Sequence, residues 1–158
     1  MTLTATCPTA LSPRGIALLQ RFEGCRLRAY LPTPDDVPTI GWGATRHADG
    51  SHVRLGDRCT QAEADMLLSA TLSTLAHRIA TRLRAAPTRQ PQFDALGCLA
   101  YNIGFDALSG ASLLAHHLAG DYDAAADGFA RWRFAGGRAL PGLVARRAAE
   151  AALYRTLA

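Results

Sequence analysis

Phe22-Glu23-Gly24-Cys25-Arg26-Leu27-Arg28-Ala29-Tyr30, followed after a proline-rich interval by Pro38-Thr39-Ile40-Gly41-Trp42-Gly43, is where the chain changes its texture. Upstream, Ser12-Pro13 announces a helix: Ser supplies a cap, and Pro at the first helical position loses no hydrogen bond that a helix would have made. Ile16, Leu19 and Phe22 recur every three residues as an apolar stripe, and Gly24 offers a C-terminal stop. The first helix therefore spans about 13–23, with Glu23 at its end, where a negative charge gains nothing from the helix dipole. From Cys25 to about Arg58, Pro, Gly, Thr and Asp become dense. Short β-prone pieces lie at 27–31, at 39–42 and around Val53, and Pro34-Asp35-Asp36 is turn chemistry. The expectation is an antiparallel β-lobe of two or three strands over about 25–58.

Beyond that lobe the pattern reads as helical to the end, over about 60–157. Thr60-Gln61-Ala62-Glu63 has the spacing of a capping box. Leu68, Leu72, Leu75 and Ile79 follow at steps of four, three and four, and a helix running to about Arg84 would be on the order of 36 Å long, enough to link two lobes. A third helix starts at Pro91, carries Phe93, Leu96, Ala100 and Ile103 inward and stops at Gly104. A fourth spans about 112–118. Asp121 caps a fifth, with Tyr122, Ala126, Phe129 and Trp132 at helical spacing, and Pro141 opens the last. The fold class is α+β: one domain over 1–158, with a small β-lobe and a larger helical lobe joined by one long helix and a cleft between them.

Composition narrows the function classes. The chain has 158 residues, 49% hydrophobic and 19% charged, which excludes a disordered tail. All seventeen basic residues are arginine, and against thirteen acids they give a formal charge of +4. No apolar run is long enough for a membrane span, and the first residues carry no basic segment followed by an apolar core, so neither stable membrane insertion nor a secretory signal is read. Cys7, Cys25, Cys59 and Cys98 form no C-x-x-C pair and no zinc-like cluster, so they read as reduced, buried small hydrophobes. His116-His117 has no partner at metal spacing and reads as a pair on a helix surface. The arginines are spread along the chain without a nucleic-acid motif, so no nucleic-acid partner is expected. The charge suits an anionic cell wall equally well.

The quoted stretch resembles the phage-type lysozymes, the glycoside hydrolase family of phage endolysins. In that family a Glu-Gly precedes an aromatic "AY" and a hairpin ends in Thr-Ile-Gly-x-Gly. The resemblance continues through Gly56-Asp57-Arg58-Cys59-Thr60-Gln61-Ala62-Glu63-Ala64, Ala100-Tyr101-Asn102-Ile103-Gly104, and Gly136-Gly137-Arg138 to Leu143-Val144-Ala145-Arg146-Arg147. It covers about 13–157. It implies a lysozyme-like fold and hydrolysis of the β-1,4 bond between N-acetylmuramic acid and N-acetylglucosamine in peptidoglycan, without cofactor or metal. It also implies a monomer that accumulates in the host bacterial cytoplasm and reaches the wall through a separate pore. Glu23 matches the family's general acid and Thr39 its catalytic threonine, whose hydroxyl can hold the attacking water. Glycoside hydrolysis needs one carboxyl group protonated to release the leaving oxygen and a second group to direct water or stabilise charge.

One departure matters. The family's usual aspartate falls here on Pro32 when counted from Glu23 and on Thr33 when counted from Thr39, and neither is an acid. Asp35 and Asp36 are the acids of the loop. Both read as turn formers or as a displaced carboxylate; Asp36, taken to begin the strand that carries Thr39, is preferred, and a mechanism on Glu23 and Thr39 alone stays open. Trp42 and Tyr101 suit sugar stacking or the core. Ser112 suits a sugar hydrogen bond or a helix cap, and Arg146 or Arg147 suits a pair with Glu23 or a solvated basic face. An inactive peptidoglycan-binding protein of the same fold and a lytic transglycosylase are the alternatives to a hydrolase.

Overall fold

A computed structural model describes residues 7–84 and 86–157. The chain folds as two compact units, one of residues 19–73 and one that joins residues up to Leu18 to those from Thr74 onward. The first six residues, part of the stretch read above for a secretory signal, lie outside the described residues. Helices dominate, and the described strands form two small antiparallel sheets of two strands each, so the class is α+β.

The first helix, α1 (Pro13–Glu23), has the bounds that Ser12-Pro13 and Gly24 set. Ser12 Oγ accepts the Gly15 N–H at 3.3 Å as a cap, and Gly24 closes the helix in the left-handed region with φ +65°.

In the unit of residues 19–73, β1 (Arg26–Tyr30) pairs antiparallel with β2 (Thr39–Gly41). Arg26 lies opposite Gly41 and Tyr30 opposite Thr39, with a bulge between the two pairs. The piece around Val53 is no third strand. It is held by isolated bridges, Arg46 to His52 and Arg28 to Arg58, and by the Val53 N–H on the Thr45 carbonyl at 3.0 Å. Val53 still does a strand residue's packing, since it closes a small core with Ala29 and Ile40, against which Ala44 and Cys59 rest. Asp36 does not begin the strand of Thr39. It sits in an exposed turn at 33–36, where Pro34 favours bending and the Asp36 N–H donates to the Thr33 carbonyl at 3.1 Å.

The long helix α2 (Gln61–Leu83) opens with the expected capping box: Thr60 N–H donates to Glu63 at 2.6 Å and Glu63 N–H to Thr60 Oγ1 at 3.1 Å. Its sequence passes from the first unit into the second, and Leu68, Leu72, Ala76, Ile79 and Leu83 are its buried stripe.

The second unit is built on α3 (Gln90–Ile103), which is buried continuously from Pro91 to Ala100 and packs on α7 (Pro141–Arg155). Phe93, Leu96 and Leu99 are fully enclosed, and truncating one of them to Ala is worth about 2–5 kcal/mol. Asp94 is buried on the same helix and accepts the Ser12 N–H at 2.8 Å, the Ser12 hydroxyl and the Gln90 amide. Against α3 packs α4 (Phe105–Ser109), while α5 (Ser112–Leu118) packs on α6 (Tyr122–Gly128), which is capped by Asp121 as expected and rests on α7. A single 3-10 turn (Phe129–Trp132) follows.

Three expectations are corrected in this unit. The chain is not helical to its end: β3 (Phe134–Ala135) and β4 (Arg138–Ala139) form a hairpin closed by Gly136 and Gly137, both at positive φ. His117 is fully buried rather than on a helix surface; its Nε2 lies 2.9 Å from Thr88 Oγ1 and its Nδ1 2.5 Å from the Tyr154 hydroxyl. Arg146 and Arg147 are not a solvated face either. Both are buried against Glu150 at 3.1 and 3.0 Å, and Arg147 also donates to Asn102. All four cysteines are thiols, but only Cys98 is buried; the other three are half-exposed, so the small-hydrophobe reading holds fully for one.

Candidate active site

The unit of residues 19–73 holds Glu23, Thr39 and Trp42. Glu23 is the last residue of α1 and half-buried, with carboxylate Oε1 shielded from solvent. The stop at Gly24 turns the chain directly into β1, and β1 pairs with the strand that Thr39 opens. Thr39 is buried, and its hydroxyl donates to the Val37 carbonyl at 3.1 Å. A hydroxyl bonded this way keeps its oxygen lone pairs available as acceptors for a water.

Gly41 follows with φ +62°, and a Cβ there would stand 3.0 Å from Ala64 of α2, so the strand lies against the helix without a side chain between them. Beyond it, the Trp42 indole N–H donates to Asp65 Oδ1 at 2.7 Å, and the Gln61 amide donates to the same oxygen at 2.8 Å. Trp42 is thus half-buried and fixed by a polar anchor, not absorbed into the apolar core. Asp65 was not among the residues singled out from sequence. Its place four residues after Gln61, on one face of a helix, was the available signal.

Asp36 is exposed and accepts the Thr33 hydroxyl at 2.9 Å, while Asp35 is exposed beside it in the same turn. Tyr101 and Ser112 belong to the other unit. Tyr101 is half-buried near the end of α3; Ser112 is exposed and is the first residue of α5, whose cap position is Ala111, so the cap reading of Ser112 is not met.

Electrostatics elsewhere in the unit of residues 19–73 are local. The Arg54 backbone N–H and His47 hold the Asp57 carboxyl below the usual range, and the Thr60 N–H does the same for Glu63. Burial pushes the Cys59 thiol up, helped by Cys25 nearby. Among the described residues no cluster of His, Cys, Asp and Glu could hold a metal ion, and no helix is long and apolar enough to cross a membrane.

The chain is similar to known proteins of one family. The phage lysozyme family model matches residues 20–150. The endolysin of Salmonella phage P22 is 38% identical over 144 residues, covering 91% of this chain and 97% of that protein. The structure of an endolysin from Escherichia coli O157:H7 phage FAHEc1 is similar with TM-score 0.84 and 31% identity, over 95% of this chain and 96% of that one. The muramidase domain of SpmX from Asticaccaulis excentricus is similar with TM-score 0.83 and 30% identity, over 95% of this chain and all of that domain. With the fold, the Glu-Gly turn and the Thr-Ile-Gly strand in these positions, the chain belongs to the phage lysozyme family and is a glycoside hydrolase of the lysozyme type.

Proposed function

We propose that this protein is an endolysin that cleaves the β-1,4 bond between N-acetylmuramic acid and N-acetylglucosamine in peptidoglycan, with Glu23 as general acid. The carrying observation is the placement of Glu23 as the final residue of α1, one oxygen shielded from water, three residues ahead of the strand that pairs with Thr39. In this reading Glu23 delivers a proton to the leaving glycosidic oxygen, and the Thr39 hydroxyl holds the attacking water. Asp36 supplies the second carboxylate, from a turn that Thr33 stiffens. Trp42, Tyr101 and Ser112 contact the sugars. No cofactor takes part, because proton transfer and water attack need none. The protein acts as a monomer over its single domain of 1–158. It collects in the host cytoplasm, passes to the wall through a separate pore and lyses the cell.

Glu23→Gln tests the reading. The amide keeps the shape of the side chain and removes its proton, and general acid catalysis is worth about 10²–10⁴-fold. Clearing of a suspension of purified peptidoglycan should fall by at least that range while circular dichroism stays unchanged. Mass spectrometry of the products should find reducing ends. Anhydro ends would make the enzyme a lytic transglycosylase, and near-normal clearing by the folded variant would remove Glu23 from the chemistry.

A further inference from the structure

Between Asp127 and Glu150 the chain carries five arginines and no acid. Arg146 and Arg147 are consumed by the buried Glu150, which leaves Arg131, Arg133 and Arg138 on the outside. Among the described residues none of these three is engaged in an ion pair. They stand among the large apolar side chains that this part of the fold leaves in water: Phe134 is 55% exposed, and Leu140 and Val144 are each 42% exposed. The β3–β4 hairpin explains why. Gly136 and Gly137 at φ +58° and +77° make a tight two-residue turn, and all four strand residues are exposed. By the alternation of a strand, Arg133, Arg138 and Leu140 share one face and Phe134 takes the other. The Arg133 guanidinium lies 5.4 Å from the Phe134 ring centre. Arg133 and Val144 also border a groove of about 260 Å³ that is lined further by Ala126, Ala130, Ala151 and the ion pair of Asp127 with Arg155.

We propose that the β3–β4 hairpin and the first turn of α7 form an interfacial docking surface for an anionic phospholipid bilayer. Both faces of the hairpin are exposed, and it enters edge-on, so that Phe134 on one face and Arg133, Arg138 and Leu140 on the other all meet the bilayer. Charge complementarity commits the surface to an anionic partner, since uncompensated arginines next to one another repel until phosphate approaches. The apolar side chains choose lipid over a soluble polyanion. A polymer in water satisfies guanidinium groups but gives Phe134, Leu140 and Val144 nothing to bury against, whereas the boundary between headgroups and acyl chains accepts an aromatic ring and aliphatic side chains beside cations. The chain is held there without crossing, in keeping with the absence of any spanning helix among the described residues. This surface is independent of the glycosidase reading and of Glu23.

Co-sedimentation of the whole protein with vesicles tests it. Vesicles of equal parts phosphatidylglycerol and phosphatidylcholine should bind the protein at low salt and release it at high salt, and pure phosphatidylcholine vesicles should bind much less. Each arginine near such a surface strengthens binding by about fivefold, so the double variant R133E/R138E should lose at least about tenfold. F134S should lose several-fold with all charges present, and R133Q/R138Q serves in place of the reversal variant should that one not fold. Clearing of purified peptidoglycan, which holds no lipid, should be unchanged in all of them. The proposal is overturned by absence of binding to the anionic vesicles or by equal binding to neutral ones. Undiminished binding of the arginine variants overturns it too. Full binding by F134S would also overturn it, because the surface would then be a polyanion site.

Discussion

The indole N–H of Trp42 points at the carboxylate of Asp65, 2.7 Å away, and the Gln61 amide holds the same oxygen from one helical turn earlier. The bond ties the indole at the end of β2 to a helix residue. If Trp42 is the sugar platform proposed above, Asp65 positions it. Asp65→Ala removes two charge-assisted bonds, from Trp42 and from Gln61, each worth about 1.5–3 kcal/mol in favourable cases and less at an exposed site. The expected result is a several-fold rise in KM on soluble chito-oligosaccharides with kcat nearly unchanged, together with a shift in Trp fluorescence. A fall in kcat at constant KM would assign Asp65 another role.

The two acids of the 33–36 turn are not equivalent. Asp36 is tied through its backbone N–H and its carboxylate to Thr33, whereas Asp35 is exposed beside it. A carboxylate that is to direct a water must hold its direction. Asp36→Asn is therefore expected to lower kcat by about tenfold or more, the scale of a lost general base, and Asp35→Asn by much less. Thr33→Val, which leaves Asp36 in place but unties it, should fall between the two. Equal and small losses in all three would leave the chemistry to Glu23 and Thr39.

Gly15 and Asp94 depend on each other. A Cβ at Gly15 would stand 2.7 Å from Asp94 Cβ and Cγ, and Asp94 is buried where it holds the start of α1 through Ser12. Gly15→Ala must push that carboxylate off its donors, at a cost of about 1–3 kcal/mol. Asp94→Ala leaves the Ser12 N–H short of its acceptor at a similar cost of about 1–3 kcal/mol. Urea unfolding should show both losses, and the double variant should lose less than their sum because the clash disappears with the carboxylate.

Much of this was legible in the residues, and the parts that were not have physical reasons. Ser12-Pro13, Gly24 and the Thr60–Glu63 box act within a few residues of themselves, so their helices start and stop where local chemistry says. The β3–β4 hairpin was missed because strands of two residues are too short to show alternation, although Gly136-Gly137 is a turn signal in its own right. Glu150, three and four residues after the two arginines, was a legible clue that Arg146 and Arg147 are paired. That the trio is buried depends on α3 packing across α7, a contact no local pattern carries. The same holds for the site: Glu23 and Thr39 stand in recognisable motifs, while the sequence marks Asp65 only by its spacing from Gln61, and its bond with Trp42 is a tertiary contact.

His116 and His117 are neighbours in sequence and opposites in environment. Successive helix residues point about 100° apart, so His116 stays at the surface near Asp121 while His117 is enclosed by Thr88, Tyr122 and Tyr154. Burial lowers the His117 pKa to about 4, and burial likewise pushes the Tyr154 phenol up, so both stay neutral across the physiological range. An unfolded histidine titrates near about 6.5. Between that value and about 4, the unfolded chain binds a proton that the folded chain refuses, so stability falls as pH drops through this window and is flat with respect to His117 above it. Carboxylates such as Asp57 and Glu63, held low by their donors, also cost stability on acidification, but they do so equally in a variant that lacks only the imidazole. His117→Gln, which can still bond Thr88 or Tyr154 but has no proton to gain, separates the two contributions. It should be less stable than the parent near pH 7 and should lose less on going to about pH 5, so the two urea midpoints converge. Parallel loss in both proteins would mean that His117 is protonated in the folded state, and that Tyr154 and Thr88 accept its charge.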